Sequence, residues 1–283
     1  MPPRDVLADQ EVGVDMPVTH PAYGMLRRVT AQASVLLADN PSPMTLEGTN
    51  TWVLRAPNSS HCVVIDPGPA HDAHLRRLAE HGPVVQVLLT HGHPDHAAGA
   101  RRFAELVCAP VRAADPAHRL GSEGLADGDM MAAAGLEIRV LATPGHTSDS
   151  VCFLIDDDGA ASLLTGDTVL GRGSAVIAHP DGRLDDYLVS LRRLAELPLG
   201  VAVLPGHGPE LPDAAQAARA YLAHRAQRLE QVRAACAVLR AQLDHEPTVR
   251  QVVEIVYVDV NPLLWPAAEA SVAAQLAYLR EYG

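Results

Sequence analysis

Directly after the apolar run Val84–Leu89 the chain reads Thr90-His91-Gly92-His93-Pro94-Asp95-His96, three imidazoles and a carboxylate within six positions. A β-branched and leucine run of that length is a buried strand. Side chains alternate along an extended segment, so His91 and His93 project the same way, while Asp95 and His96 turn with the chain as a helix begins. Two adjacent ligand pairs can therefore face two neighbouring ions. Imidazole nitrogen with carboxylate oxygen suits zinc, with iron and manganese as alternatives.

The same grammar recurs three times. Pro144-Gly145-His146-Thr147 follows the strand-like Leu136–Leu141, Thr165-Gly166-Asp167 closes Ser162–Leu164, and Pro205-Gly206-His207-Gly208 follows Val201–Leu204. Each is an apolar run, a glycine that permits a tight turn, and a ligand-type residue. One alone would read as a solvated loop histidine or a capping aspartate. Four such elements point to one shared centre.

Between these landmarks strands and helices alternate. Gly24–Leu37 reads as strand material, followed by short strands at Thr51–Leu54, Cys62–Ile65 and Val151–Ile155. Helical spacing marks Ala70–His81, Ala97–Val107 and Leu184–Leu197. That order predicts an α/β domain with layered sheets and helices over residues 1–212. From Asp213 the texture changes to helices alone. A long pattern runs to about Leu243 with Leu222, Leu229, Val232, Cys236, Leu239 and Leu243 on one face. Thr248 caps a short helix through Val258, and Pro266 opens a last one, so residues 213–283 form a small three-helix domain. Its apolar stripe must be buried against the first domain or against a second copy, as in a homodimer.

Composition limits the function classes. With 48% hydrophobic and 20% charged residues in 283, the chain can bury a sizeable core and is no disordered polyelectrolyte. All 22 basic residues are arginine, against 34 acids, for a net charge of −12. The helical domain carries seven arginines and eight acids, which leaves −11 on the rest. Such a field opposes RNA and anionic membranes at long range. No run is long enough for a membrane span, and Met1–Met16 has no apolar core of the signal-peptide kind, so a cytoplasmic location is expected. The four cysteines form no C-x-x-C pair, and none is needed for a disulfide framework.

Taken together, the strand-end motifs resemble the metallo-β-lactamase superfamily over roughly Thr51–His207. The resemblance implies a four-layer αββα sandwich with a small C-terminal all-α, winged-helix-like domain. It also implies a binuclear centre of two zinc ions per chain: His91, His93 and His146 on the first, Asp95, His96 and His207 on the second, and Asp167 bridging. Asp66, in Ile65-Asp66-Pro67-Gly68, matches a family acid that supports the site from behind its ligands. The bridging aspartate is missing from true metallo-β-lactamases, so its presence here speaks against antibiotic hydrolysis. Gly48-Thr49-Asn50-Thr51-Trp52, Gly166-Asp167-Thr168-Val169-Leu170-Gly171 and Tyr221-Leu222-Ala223-His224-Arg225 narrow the likeness to the branch containing beta-lactamase-like protein 2. That branch includes thioesterases acting on acyl chains and single-strand-specific endoribonucleases.

The expected chemistry is hydrolysis by a hydroxide shared between two ions, with Asp95 as catalytic proton acceptor. Gly-x-Ser-x-Gly is absent, which argues against a serine hydrolase. Thioesters or esters, small acyl substrates needing only local metal charge and an apolar pocket, fit the acidic chain better than RNA. A nucleic-acid-binding regulator would need a basic recognition helix, yet residues 266–283 hold one arginine and two glutamates. A mononuclear iron dioxygenase shares part of the motif. Gly171-Arg172-Gly173-Ser174 reads as a flexible loop near the metals, His179 as an exposed turn histidine, and His224 and Arg225 as solvated or salt-bridged helix residues. His20, His61, His71, His74, His81, His118 and His245 have no ligand spacing and are left out of the site.

Overall fold

The computed structural model describes residues 22–156 and 161–282. The N-terminal segment Met1–Met16 and His20 lie outside them. Eleven described strands form two sheets. In the first, β1 (Leu26–Arg28), β2 (Ala33–Leu37), β3 (Asn50–Leu54), β4 (Cys62–Ile65), β5 (Val84–Leu88) and β6 (Val111–Arg112) lie in sequence order. β1 to β4 pair antiparallel; β4, β5 and β6 pair parallel. The second sheet has the order β11-β10-β9-β8-β7, built from β7 (Met130–Ala133), β8 (Leu136–Ala142), β9 (Val151–Ile155), β10 (Ser162–Gly166) and β11 (Ala202–Pro205).

The strands are apolar on both faces because both are covered. In β4, Val63 and Ile65 enter the core between the sheets, where they meet Ile138, Val140 and Phe153 of the second sheet. Cys62 and Val64 point the other way, onto Leu75 and Leu78 of α1 (Asp72–Ala79) and Phe103 of α3 (Ala100–Val107). On the far side, Cys152 and Leu163 pack under Tyr187, Leu191 and Leu194 of α4 (Leu184–Ala195). The result is the four-layer αββα sandwich.

Local chemistry accounts for departures from the sequence reading. Gly24–Leu37 is a hairpin rather than one strand, because the Thr30 hydroxyl accepts from the backbone of Gln32 and Ala33 and closes a turn. The helix expected over Ala97–Val107 is two: α2 (Pro94–Ala97) and α3. Gly99 separates them, packed so tightly on the backbone oxygens of Gly68 and Pro69 that a Cβ would stand 2.9 and 2.8 Å from them. β6 and β7 carried no strand signal; β7 is Met-Met-Ala-Ala, paired to β8 through a turn with Ala134 and Gly135 at positive φ.

The long helix α5 (Ala214–Gln242) does not present one stripe to one partner. Ala214, Ala218 and Leu229 belong to the core above the second sheet. Val232, Cys236 and Leu239 instead pack on Val252 and Val253 of α6 (Val249–Val256) and Val272 of α7 (Trp265–Tyr282). The stripe is thus buried within the chain. Thr248 and Gln251 close a capping box at the start of α6. No strand among the described residues lies beyond β11, and no helix is long and apolar enough to cross a membrane.

Candidate metal centre

Strand direction gathers the ligand-type residues. β4 and β5 run parallel in one sheet, and β8, β10 and β11 share a direction in the other, since β9 is antiparallel to both β8 and β10. The C-terminal ends of all five open on one edge of the sandwich. They deliver Asp66 (after β4), His91 to His96 (after β5), His146 (after β8), Asp167 (after β10) and His207 (after β11). Pro94 starts α2 directly behind the strand, which turns Asp95 and His96 back toward the edge.

Two clusters result. His93 Nδ1 lies 3.1 Å from His91 Nε2 and 3.0 Å from His146 Nε2. In the second, His207 Nε2 is 3.2 Å from His96 Nε2 and 3.1 Å from Asp95 Oδ2, and His96 Nε2 is 3.5 Å from that oxygen. Asp167 stands between them, with Oδ1 3.4 Å from His96 Nε2 and Oδ2 3.5 Å from His207 Nε2 and 3.7 Å from His146 Nε2. Nitrogens bound to one tetrahedral ion at zinc distances stand about 3.3 Å apart, the spacing seen here. Asp167 Oδ1 is buried without a hydrogen-bond partner. Converging imidazoles beside an unsatisfied buried carboxylate oxygen fit divalent cations, and each cluster supplies three donors.

The far sides of His91, His96, His146 and His207 are committed. Asp66 Oδ2 takes His96 Nδ1 at 2.8 Å and the Thr90 hydroxyl at 2.7 Å, while its Oδ1 takes the Thr90 amide at 2.8 Å. Thr90 Oγ1 in turn stands 3.0 Å from His91 Nδ1. His146 Nδ1 donates to Val176 O at 2.6 Å and His207 Nδ1 to Gly48 O at 3.1 Å. These contacts take Nδ1 of the four rings outward and turn their Nε2 toward the clusters, while His93 presents Nδ1. Asp66 is held at φ 50°, a conformation costly for a non-glycine residue.

Electrostatics follow from burial against the carboxylates. Burial drives the His91 imidazole well below its usual range and His146 down to about 4. Burial acts the same way on His96 and His207, but Asp167 with Asp66 raises His96 well above the usual range, and Asp167 with Asp95 lifts His207 to about 9. Asp167 itself, despite burial, is held well below the carboxylate range by His207 and His96.

Residues without ligand chemistry build this edge. Asn50 donates to Pro205 O at 3.0 Å and Gly208 O at 2.9 Å, and Trp52 Nε1 donates to Pro205 O at 3.1 Å. The Gly48–Trp52 segment thus clamps the His207 turn across the two sheets. The Tyr187 hydroxyl donates to Thr168 O at 2.7 Å, and the Tyr221 hydroxyl accepts from Leu170 N at 3.0 Å, which pins the loop behind Asp167. Arg225 is buried rather than solvated, with its guanidinium 5.1 Å from the centre of the Tyr187 ring. His118 sits over Gly92, where a Cβ would meet its Nε2 at 2.6 Å. His74 is buried against the Thr51 hydroxyl, away from the clusters. An apolar pocket opens beside His146 and Asp167, walled by Leu170 and by Tyr257, Val260, Leu264 and Ala268 of the helical domain.

Known proteins share this plan. The model of the metallo-beta-lactamase superfamily matches residues 44–207, and that of the beta-lactamase associated winged helix domain matches 248–283. The chain is 30% identical over 276 residues to a beta-lactamase-like protein 2 homolog of Drosophila melanogaster, covering 90% of each. It is 32% identical over 211 residues to an atrochrysone carboxyl ACP thioesterase of Aspergillus fumigatus, covering 70% of this chain and 62% of that protein. A solved metallo-beta-lactamase family protein of Thermus thermophilus superposes with a TM-score of 0.72 at 25% identity, covering 88% of this chain and 93% of that one. On sequence and architecture alike, the chain belongs to the metallo-beta-lactamase superfamily, in the form that carries a C-terminal winged helix domain.

Proposed function

We propose that this chain is a hydrolase of acyl thioesters or esters that works with two divalent metal ions, zinc by preference. The observation that carries the reading is the pair of donor clusters joined by Asp167 at the mouth of an apolar pocket. His91, His93 and His146 would hold one ion, and Asp95, His96 and His207 the other, with Asp167 touching both. Ions held there supply Lewis acidity toward a carbonyl oxygen and an activated water near neutral pH. The chain's own residues do the rest. The pocket excludes water and receives the acyl group, which leaves the carbonyl at the edge between the clusters. Asp95, half-buried, turns Oδ2 to His207 and His96, which leaves Oδ1 to take the proton of the attacking water. In the metal-free chain, despite burial, the His207 contact holds that carboxyl below its usual range. The thioesterase name of one relative supports this substrate class.

The test is turnover of matched thioester, lactam, phosphodiester and single-stranded RNA substrates by metal-loaded protein. Thioester hydrolysis is expected with about two zinc ions per chain, lost in His91→Ala. Efficient RNA cleavage at physiological salt with no thioester turnover would overturn the reading, and one iron per chain would replace it with oxygen chemistry.

A further inference from the structure

Two arginines line the pocket beside the clusters, and they differ in one respect. Arg172, at the mouth, is ion-paired with Glu47. Arg225, on α5, is 4% exposed, and no carboxylate among the described residues lies within ion-pair distance of it. One terminal nitrogen donates to Ala175 O, the guanidinium stands over the Tyr187 ring, and Nε is buried with no partner. A carbonyl and a ring face offer partial negative charge but no counter-ion. A buried guanidinium with donors to spare is suited to a carboxylate brought by a ligand, which its planar fork can bind bidentately. Ser271 of α7, 6% exposed, lines the same pocket and can add a hydroxyl donor. The remaining wall is mostly apolar, so a bound anion there would find Arg225 as its one unpaired cation among the described lining residues.

We propose that Arg225 is an anion subsite, and that the substrate is an acyl thioester bearing a carboxylate on the acyl chain. This rests on the hydrolase reading above. In the reaction, water adds to the thioester carbonyl carbon and the C–S bond breaks. The thiol leaves with one proton of the water, the other is released to solvent as the new carboxyl ionises, and the product is a dicarboxylate whose remote carboxylate is unchanged. A purely structural Arg225 would act differently. It holds Ala175, the neighbour of the Val176 carbonyl that anchors His146, so its loss would slow every substrate alike.

The experiment compares ω-carboxyacyl thioesters of four to ten carbons with their isosteric ω-carboxamides, on metal-replete protein. The carboxylate series should be favoured at least about 10-fold in kcat/KM at its best chain length, and Arg225→Gln should collapse that ratio to near one. Arg225→Lys should retain part of it. A second readout needs no turnover: in calorimetry on metal-depleted protein, octanoate should bind at least about 10-fold tighter than octanamide, and Arg225→Gln should abolish the difference. Absence of a preference in the unmodified protein, or a preference that survives Arg225→Gln, overturns the anion subsite. If neither thioester series turns over, the hydrolase reading fails, while the calorimetry still decides the subsite by itself. Should Arg225→Gln not fold, the unmodified protein and Arg225→Lys decide it.

Discussion

Asp66 shows how much a single side chain outside the clusters determines. Its two oxygens take three hydrogen bonds and hold both Thr90 and His96. Asp66→Ala removes all three and leaves the His96 Nδ1–H and the Thr90 amide buried without acceptors. Metal affinity, read by competition with a chromophoric chelator, should fall about 10- to 100-fold. The clustered imidazoles also set a pH dependence for metal-free protein. His207, lifted to about 9, contributes stability that is complete below an unfolded value near 6.5 and is lost as pH rises through about 9. His146, pushed down to about 4, contributes in the opposite sense: its share is complete above about 6.5 and is lost as pH falls toward 4. Thermal unfolding of metal-depleted protein should therefore show a stability maximum between these flanks. Metal uptake at neutral pH should release protons from His96 and His207, measurable as acidification of a weakly buffered solution. A stability curve that is flat from pH 5 to 9 would contradict both assignments.

Among the elements, the strand ends matter more than the strands. The His207 turn is held by β3 of the other sheet, through Asn50 and Trp52, as well as by Gly166 of its own sheet. Asn50→Ala strands the Gly208 carbonyl oxygen and leaves Pro205 O to Trp52 alone, at a cost of about 2 kcal/mol. It should also weaken the cluster of Asp95, His96 and His207 more than that of His91, His93 and His146. Metal titration should resolve this as one weakened step of two. Gly206 makes the complementary point. A Cβ there would stand 2.6 Å from Asp167 Oδ1 and 2.7 Å from His96 Cε1, so Gly206→Ala should displace both residues and lower metal content while the far-UV dichroism stays that of the folded protein. The tyrosines of α4 and α5 act the same way on the Asp167 loop, which makes the helix layer part of the site's support.

Over the whole molecule, the helical domain closes the pocket instead of standing apart. The first half of α5 completes the fourth layer, and its second half carries α6 and α7 to the pocket rim. Filling that rim should change selectivity: Ala267→Trp should shift the ratio of kcat/KM values toward short acyl chains by about 10-fold or more, as expected when a bulky ring replaces space for several methylenes. An unchanged chain-length profile would separate the helical domain from substrate choice. The acidic balance of the chain acts at this scale too, and turnover of anionic substrates should rise with added salt if long-range repulsion limits their approach.

Local patterns were enough to read layered sheets and helices, the three C-terminal helices and the strand-end motifs, while the four-layer sandwich was implied by the family those motifs resemble. Period-two alternation, apolar runs and Gly-His or Gly-Asp endings are properties of contiguous residues, and their spacing survives folding unchanged. That is why His91, His93, Asp95, His96, His146, Asp167 and His207 could be singled out, and the fold then brings all seven to one edge. What the tertiary structure alone decided lies between segments distant in sequence. Nothing near Asn50 in the chain points to Pro205, 155 residues away, and nothing around Arg225 marks it as buried beneath the pocket. Its helical neighbours read as a solvated face, because burial there is imposed by the loop over residues 170–178 and by α7 packing down from the other end of the domain. The β6 and β7 strands escaped for the same reason. β6 is only two residues long and Met-Met-Ala-Ala of β7 has little strand preference of its own, so they are strands because a neighbouring edge offered hydrogen bonds to pair with.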